Sequence, residues 1–356
     1  MLTSTIVAAI VAAGSTPAAP EPYLAVRSGL KCSACHVNRS GGGGRTAYGS
    51  VYAQTQLAMR TGTVRNRALN DFLALGWDVR ALGSGVVTDY RSGSPRTAIE
   101  LSEANAYLEA RVIERRLALY LDQTLGPGPA TTREAFALIE GLPLHGYAKA
   151  GKFLLPYGLR LQDDAEFIRA QTGFSYKTPD QGVEVGIEPG ALSFFVAMSN
   201  GTAGAAEDNN GKQFTSALAV VRRPFRVGGS ASRNEATGAA RTDVFGGFAG
   251  LAVGPVSLLG EVDQIVERVR ADSTVKRLAG FLEGDFLAAK GVNAKVTYGY
   301  FDKDLDIPED QRVRLRFGLE LFPVGYVRAA AFYTADLWIP QATTPDRVSL
   351  ELQLHF

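Results

Sequence analysis

Two cysteines and a histidine stand together near the start of the chain, in the order Cys32-Ser33-Ala34-Cys35-His36. Two thiols at this spacing form thioethers to the two vinyl groups of a haem, and the adjacent imidazole then ligates the iron. Cys32 and Cys35 are the only two cysteines in the sequence, so no other thiol can form a disulfide with either. The motif predicts one covalently bound haem c, with His36 as the proximal iron ligand.

Other interpretations of this motif remain open. Cys32 and Cys35 are also compatible with a redox disulfide or a zinc knuckle, although a tetrahedral zinc site needs two further ligands that no local histidine or cysteine provides. A motif without a cofactor is the third alternative. The glycine run that follows, Gly41 to Gly44, either lets the backbone approach a flat macrocycle closely or acts as a flexible linker.

A second axial ligand would have to come from the few remaining thioether or imidazole side chains. The candidates are Met59, His145 and His355. Met198 shares an alternating face with apolar residues and is expected to point into lipid. An open or water-bound position is the remaining alternative.

Composition and the first residues narrow the cellular context. The formal net charge of +1 argues against a nucleic-acid partner. Residues 1–19 read as a signal peptide, with a short apolar run from Ile6 to Ala13 followed by small residues. Export agrees with haem c, because that cofactor is attached outside the cytoplasm.

Residues 20–70 form the predicted haem c segment, which includes a short helix over Ala47–Arg60. Fewer than ~50 residues are marginal for an independent core. We therefore expect this segment to pack against, or inside, the rest of the chain and to plug its periplasmic end.

Residues 71–356 alternate between apolar and polar positions in short runs. The last run places Val348, Leu350 and Leu352 on one face, with charged or polar residues on the other, and ends at the aromatic Phe356. Such an ending resembles the C-terminal signature of outer-membrane barrels, whose lipid face is apolar and whose lumen is polar. The pattern predicts an all-β transmembrane barrel of about sixteen antiparallel strands. The predicted strands begin near Leu75, Ile99, Leu117, Glu134, His145, Gln181, Ala191, Gln213, Phe225, Arg241, Pro255, Val275, Gly291, Gln311, Val324 and Asp346.

Connection lengths support an even strand count. Connections after even strands are predicted to be tight and those after odd strands long, as expected of periplasmic turns and external loops. The longest, Pro156 to Asp180, either folds into the pore or lies over its rim. The acidic loop from Asp302 to Asp310 is either a solvated loop or an attractor of cations such as Fe²⁺.

The chain resembles the fused monohaem cytochrome-porins associated with iron-oxidising bacteria. Cys32, Cys35 and His36 carry this resemblance, together with the terminal Phe356 and the barrel that follows the motif. The resemblance implies an electron-transfer protein rather than a hydrolase or transferase. It implies that electrons pass between an extracellular donor, such as Fe(II), or acceptor and a periplasmic cytochrome, with the barrel surrounded by outer-membrane lipid. The segment Gly151 to Leu159 also looks like strands of phosphate-selective-type porins.

Two other classes of function remain. The first is a passive diffusion porin with a haem-bearing or structural plug, which would prefer anions if Arg312, Arg314, Arg316 and Arg328 line the lumen. The second is a structural outer-membrane protein without haem.

Overall fold

A closed barrel forms the bulk of the protein in the computed structural model, which describes residues 21–65, 68–86, 97–207, 209–235, 240–270, 273–338 and 346–356. Within these ranges sixteen antiparallel strands follow one another around the barrel, and the first pairs with the last from Asp78 opposite His355 to Val86 opposite Arg347. The strands are β1 Leu73–Val86, β2 Thr97–Ile113, β3 Leu117–Gly126, β4 Thr131–Leu142, β5 Gly146–Phe153, β6 Asp180–Ile187, β7 Leu192–Ser199, β8 Gln213–Arg222, β9 Phe225–Glu235, β10 Arg241–Val253, β11 Val256–Arg270, β12 Ser273–Ala289, β13 Val292–Asp302, β14 Gln311–Leu321, β15 Val327–Trp338 and β16 Arg347–His355. The predicted fold class is confirmed, and the predicted signal peptide at 1–19 lies outside the described residues.

Alternation along each strand separates an apolar outer face from a polar lumen. On β7 the side chains of Phe194, Val196 and Met198 are exposed on the outside, whereas those of Ser193 and Ala197 are buried. Since successive strand residues point to opposite faces, one face meets lipid and the other fills the barrel. Met198 thus lies on the outer face, as the sequence predicted.

Turn lengths differ between the two ends of the barrel. Connections after even-numbered strands are at most five residues long, and we call this the short-turn end. Most connections after odd-numbered strands are longer. The exceptions are four residues between β3 and β4, five between β9 and β10, and two between β11 and β12. The predicted asymmetry is therefore correct for the tight turns and for most, but not all, of the loops.

The N-terminal residues lie inside the lumen and form what we call the plug, residues 21–65. Its helices are α1 Pro22–Ser28, α2 Cys32–Cys35 and α3 Ala47–Tyr52, the last continuing as a π-helical turn over Ala53–Leu57. The predicted helix over Ala47–Arg60 is thus present but ends at Leu57. No helix within the described residues is long and apolar enough to cross a membrane.

The plug shares a hydrophobic core with the barrel wall. Tyr23, Leu24 and Val26 of α1 are buried against wall residues that include Phe248 and Phe281. Burying these side chains removes apolar surface from water that a segment this short could not cover by itself. This agrees with the expectation that the segment packs inside the barrel.

The longest connection, between β5 and β6, folds into the pore and includes the short helix α4 Phe167–Ala170. Its Tyr157 hydroxyl donates a hydrogen bond to Asp263 Oδ1 on the wall at 2.8 Å. Arg169, which is fully buried, forms an ion pair with Glu261, which lies on β11 together with Asp263. Of the two alternatives left open by the sequence, the loop takes the one in which it narrows the lumen.

Candidate functional site

A cavity lies inside the lumen, and Cys32, Cys35 and His36 all line it. Plug residues form one side of this cavity, and Gly158 and Leu159 of the β5–β6 loop form part of the other. We call it the cysteine cavity.

Helix α2 places the two thiols one turn apart on the cavity wall. The backbone N–H of His36 donates to the carbonyl of Cys32 at 2.9 Å, which closes this turn and fixes the imidazole next to the thiols. Both cysteines are free, and burial raises the pKa of the Cys35 thiol to about 11.

His36 is buried, with 9 % of its surface exposed. Burial and the nearby Arg45 guanidinium lower the pKa of its imidazole to about 4, so the ring is neutral at pH 7. A neutral imidazole is the form that binds a metal. Its Nδ1 atom is buried and has no hydrogen-bond partner among the described residues.

The glycine run after the motif forms an ordered part of the cavity wall. Gly41 and Gly42 have φ angles of +99° and +91°, a region that residues with a Cβ atom rarely adopt. A Cβ atom on Gly42 would lie 2.9 Å from the ring of Tyr176. The structure therefore does not favour a flexible linker, and a close approach of this backbone to a macrocycle stays a prediction.

Helix α3 packs closely against helix α2 and holds it in place. A Cβ atom on Gly49 of α3 would lie 2.3 Å from the carbonyl oxygen of Cys35, so only glycine lets α3 pack directly against α2. The hydroxyl of Thr46, the N-cap of α3, donates to the carbonyl of Ala34 at 2.7 Å. These contacts fix helix α2, and with it both thiols, against helix α3.

Apolar and cationic side chains complete the cavity. Leu24, Leu57 and Leu159 line it together with the guanidinium groups of Arg160 and Arg226. The Nε atoms of both arginines are buried without hydrogen-bond partners among the described residues. Arg226 Nη1 lies 3.5 Å from Cys32 Sγ.

These features fit a haem. Its macrocycle is flat and apolar and its two propionates are anionic, so it matches a cavity with an apolar wall, two glycines that permit close approach, and cations without acidic partners. Cys32 and Cys35 would hold the haem and His36 would ligate the iron, while Arg160 and Arg226 would add positive charge to the lining.

The three predicted candidates for a second axial ligand lie outside this cavity. Met59 is held at the short-turn end, where its N–H donates to the carbonyl of Phe322 at 2.8 Å. His145 belongs to the turn Pro143–His145 and is exposed, whereas the sequence placed it at the start of a strand on the lumen face. His355 is buried on the lumen side of β16, as predicted, but it lines a different cavity.

That different cavity adjoins the first. It measures about 430 Å³, and its lining includes His36, Arg45, Tyr176 and His355 but neither cysteine. His36, Arg45 and Tyr176 line both cavities and thus form the wall between them. Both ring nitrogens of His355 are buried without hydrogen-bond partners among the described residues.

Polar contacts fix the plug to the barrel near the motif. Asn38 Nδ2 donates to Glu134 at 2.6 Å, and its Oδ1 accepts from Lys149 at 2.8 Å. Lys31 Nζ donates to the carbonyls of Glu188 and Leu192 at 2.8 and 2.6 Å. Since Glu188 and Leu192 flank the turn between β6 and β7, these bonds place the motif near the short-turn end.

The lumen also holds a larger space, which we call the vestibule. Five arginines that line it are all ion-paired, in the pairs Arg80–Glu103 (2.6 Å), Arg314–Asp336 (2.6 Å), Arg316–Glu351 (3.2 Å), Arg328–Glu320 (2.6 Å) and Arg347–Asp336 (2.6 Å). The predicted basic lumen is therefore largely neutralised where Arg314, Arg316 and Arg328 lie. Arg312 also has an interaction partner.

Comparison with solved structures identifies the architecture as that of porins. The barrel is similar to OmpT of Vibrio cholerae, with a TM-score of 0.64 and 13% identity over 80% of this chain and 99% of that one. It is also similar to an anion-selective porin of Comamonas acidovorans (0.62, 11%, 80% and 99%) and to the outer membrane channel DcaP of Acinetobacter baumannii (0.60, 12%, 80% and 97%). No protein-family model matches the chain, and no curated protein matches it.

Sequence reasoning did not assign three residues of the cysteine cavity: Arg45, Tyr176 and Arg226. Arg226 alternates with the exposed Phe225 and Val227 on β9, so strand parity alone would have placed it in the lumen. Arg45 directly follows the glycine run. Tyr176 lies in the β5–β6 loop, and its position depends on how that loop folds, which no local pattern specifies.

Proposed function

We propose that this protein is an outer-membrane electron conduit that carries one covalent haem c inside a plugged barrel. The observation that carries the proposal is the cysteine cavity: a complete C-x-x-C-H motif faces a partly apolar space in the lumen of a barrel with the fold of outer-membrane proteins. When bound, haem supplies a centre that accepts and releases single electrons.

The protein's own residues have distinct parts in this function. Cys32 and Cys35 hold the cofactor, and the neutral imidazole of His36 ligates it. Leu24 and Leu159 exclude water from the cavity, and Arg160 and Arg226 compensate negative charge. The plug and the β5–β6 loop fill the pore around the site, so that electrons pass while solutes do not.

A single haem does not connect the two sides of a membrane that is about 40 Å thick. We therefore propose that a periplasmic cytochrome approaches the short-turn end, where the plug is attached, and that an extracellular donor or acceptor enters through the vestibule. Fe(II) is one such donor. The outer face of the barrel contacts outer-membrane lipid.

The haem is tested by a pyridine haemochrome spectrum of the purified, denatured protein. Covalent haem c is expected in the wild type and a nearly complete loss in Cys35→Ala. Ser33→Ala, at a position of the motif where any residue is allowed, serves as the matched control and is expected to retain the spectrum. An unmodified wild-type chain would exclude the haem and the conduit together.

Conduction is tested in liposomes that enclose an electron acceptor. With a reductant outside, the wild type is expected to reduce the enclosed acceptor without releasing a small entrapped dye, and Cys35→Ala to do neither. Dye release without electron transfer would contradict the proposal and support the second candidate function.

That second candidate is a passive diffusion porin, and the similarity to porin structures favours it. The paired arginines of the vestibule and the filled lumen favour it less. Comparing the permeation of anions and cations of equal size in the same liposomes would reveal such a pore.

A further inference from the structure

The exposed charges at the short-turn end of the barrel are mostly positive. Among the described residues there, the exposed charged side chains are the basic Arg60, Arg65, Arg115, Arg116, Arg222, Arg223 and Lys290 and the acidic Asp71 and Glu114. Since the formal net charge of the whole chain is only +1, positive charge is concentrated at this end. Such a concentration attracts molecules with an acidic surface and speeds their approach.

Several of these cations lie on the plug or directly beside it. The N–H of Arg60 donates to a carbonyl of the turn between β14 and β15 at 3.2 Å, and the N–H of Arg65 donates to Gln54 at 2.8 Å. On the wall, Arg223 Cβ lies 2.9 Å from the position that a Cβ atom on Gly29 of the plug would take. The positive charge therefore includes the mouth of the barrel, where the plug is attached.

Helix α3 adds an apolar surface at the same end. Tyr48 and Val51 are exposed, at 52% and 38%, whereas Gly49 between them packs against Cys35. Tyr52 lines the cysteine cavity, and its ring centroid lies 6.2 Å from that of Tyr48. One side of this helix thus contacts the motif, and the other side is free to contact a partner.

A protein fits this surface better than membrane lipid does. Lipid headgroups surround the outside of the barrel wall, whereas Tyr48, Arg60 and Arg65 belong to the plug, which lies inside the ring of strands. An apolar centre with an aromatic side chain and a polar rim is typical of interfaces between proteins. Transient complexes of redox proteins use small interfaces, and charge complementarity brings their partners together.

We propose that the exposed face of the plug is a docking surface for a soluble electron-carrier protein with an acidic surface. Tyr48 and Val51 lie at the centre of the contact, and Arg60 and Arg65 attract the carrier. This inference rests on the proposed function, because it assumes a partner that exchanges electrons with the protein. It adds the charge of that partner and the residues that contact it.

Flavodoxin, an acidic single-electron carrier, serves as the probe for charge. Protein in phosphatidylcholine nanodiscs is expected to bind immobilised flavodoxin at about 0.01 M salt and to release it at about 1 M, because the screening length falls from about 30 to about 3 Å. The double variant Arg60→Glu, Arg65→Glu is expected to bind about tenfold more weakly at low salt. Equal affinity of the wild type and the double variant would overturn the proposal.

The matched control changes the same number of charges at the opposite end of the barrel. Lys177 and Lys303 are exposed in the loops that follow β5 and β13. The double variant Lys177→Glu, Lys303→Glu is expected to bind flavodoxin as the wild type does. A loss equal to that of the plug variant would show that overall charge, and not the plug, attracts the probe, and would overturn the proposal.

The apolar centre is tested at Tyr48. Tyr48→Ser is expected to weaken flavodoxin binding about tenfold without changing its dependence on salt, because this substitution removes an aromatic contact and no charge. Ile307→Ser is the matched control, since Ile307 is 53% exposed in the loop between β13 and β14. Unchanged affinity in Tyr48→Ser would contradict a contact centred on α3.

Two further measurements separate the alternatives. In nanodiscs that contain phosphatidylglycerol, the wild type is still expected to bind flavodoxin more tightly than Arg60→Glu, Arg65→Glu. Loss of that difference would show that lipid headgroups occupy these cations and would overturn the docking surface. In the haemochrome assay, a chain without covalent haem contradicts the proposed function itself. A chain with covalent haem whose flavodoxin binding does not depend on Arg60 and Arg65 contradicts only the docking surface.

Discussion

The cysteine cavity and the vestibule are parts of one lumen, but the arginines that line them differ in their ion pairing. In the vestibule the five arginines described above are all held by carboxylates of the wall or loop. In the cysteine cavity neither Arg160 nor Arg226 forms an ion pair with a described acidic residue. The first arrangement fastens parts of the protein together, whereas the second leaves cations available to a ligand. Changes in the vestibule should therefore affect stability, and changes in the cavity should affect the cofactor.

The largest expected effect is on stability, from Lys295 at the base of the vestibule. Its ammonium lies 3.3 Å from Glu283 and 3.6 Å from Glu21 of the plug, and 7% of the side chain is exposed. Lys295→Met would leave these carboxylates buried without their cation, which costs about 3–5 kcal/mol. Equilibrium unfolding of the purified barrel in guanidinium chloride measures the loss.

The control for Lys295 is Arg347→Met. Arg347 also lines the vestibule and pairs with Asp336 at 2.6 Å, but 49% of its side chain is exposed. Solvent-exposed pairs contribute less than about 1 kcal/mol. Equal losses in the two variants would show that the base of the vestibule is no more buried than its rim.

The barrel was predictable because its signal is local. Alternating side chains along β7 or β16 define a strand and its outer face without information from the rest of the chain. Every predicted strand begins within three residues of the observed one. The clearest local error is His145, whose φ of 54° belongs to a left-handed turn that no alternating pattern indicates.

The candidate site was only half predictable. The thiols and His36 form a motif within five residues, so sequence alone defined them. The opposite wall comes from Leu159 and Arg226, which are far from the motif in sequence. Leu159 reaches the cavity only when the β5–β6 loop folds into the pore, and Arg226 only when β9 takes its place in the closed barrel. The same dependence explains why Met59, close in sequence to the motif, lies elsewhere: hydrogen bonds to a distant turn at Phe322 hold it there.

An intermediate effect is expected at Gly42, where the cavity wall depends on the absence of a side chain. Gly42→Ala introduces a Cβ atom at a φ of +91° and 2.9 Å from the ring of Tyr176. The left-handed backbone costs an alanine about 1–2 kcal/mol, and the displaced ring narrows the cavity. We expect a lower haem content per chain, measured by the haemochrome assay, with the barrel still folded.

Two further variants isolate the cause. Gly62→Ala is the matched control, because no atom lies within 4 Å of its Cβ position, and it should bind haem normally. Adding Tyr176→Leu to Gly42→Ala removes the clash but keeps the backbone strain, so it should restore part of the haem content. Normal haem content in Gly42→Ala would mean that the glycine run does not contact the cofactor.

The smallest effect is expected at Arg160 and appears in the reduction potential rather than in stability. Reduction adds one negative charge to the haem, so a nearby guanidinium stabilises the reduced form and raises the potential. Arg160 is buried and lines the cavity, whereas Arg314 lines the vestibule and is paired with Asp336 at 2.6 Å. Arg160→Leu is expected to lower the potential by roughly 40 mV, which corresponds to about 1 kcal/mol for a one-electron couple. Arg314→Leu should change it much less, because its charge is already compensated. A spectroelectrochemical titration of the wild type and the two variants measures this difference. Equal shifts in both variants would show that an arginine of the cysteine cavity and an ion-paired arginine of the vestibule affect the potential equally.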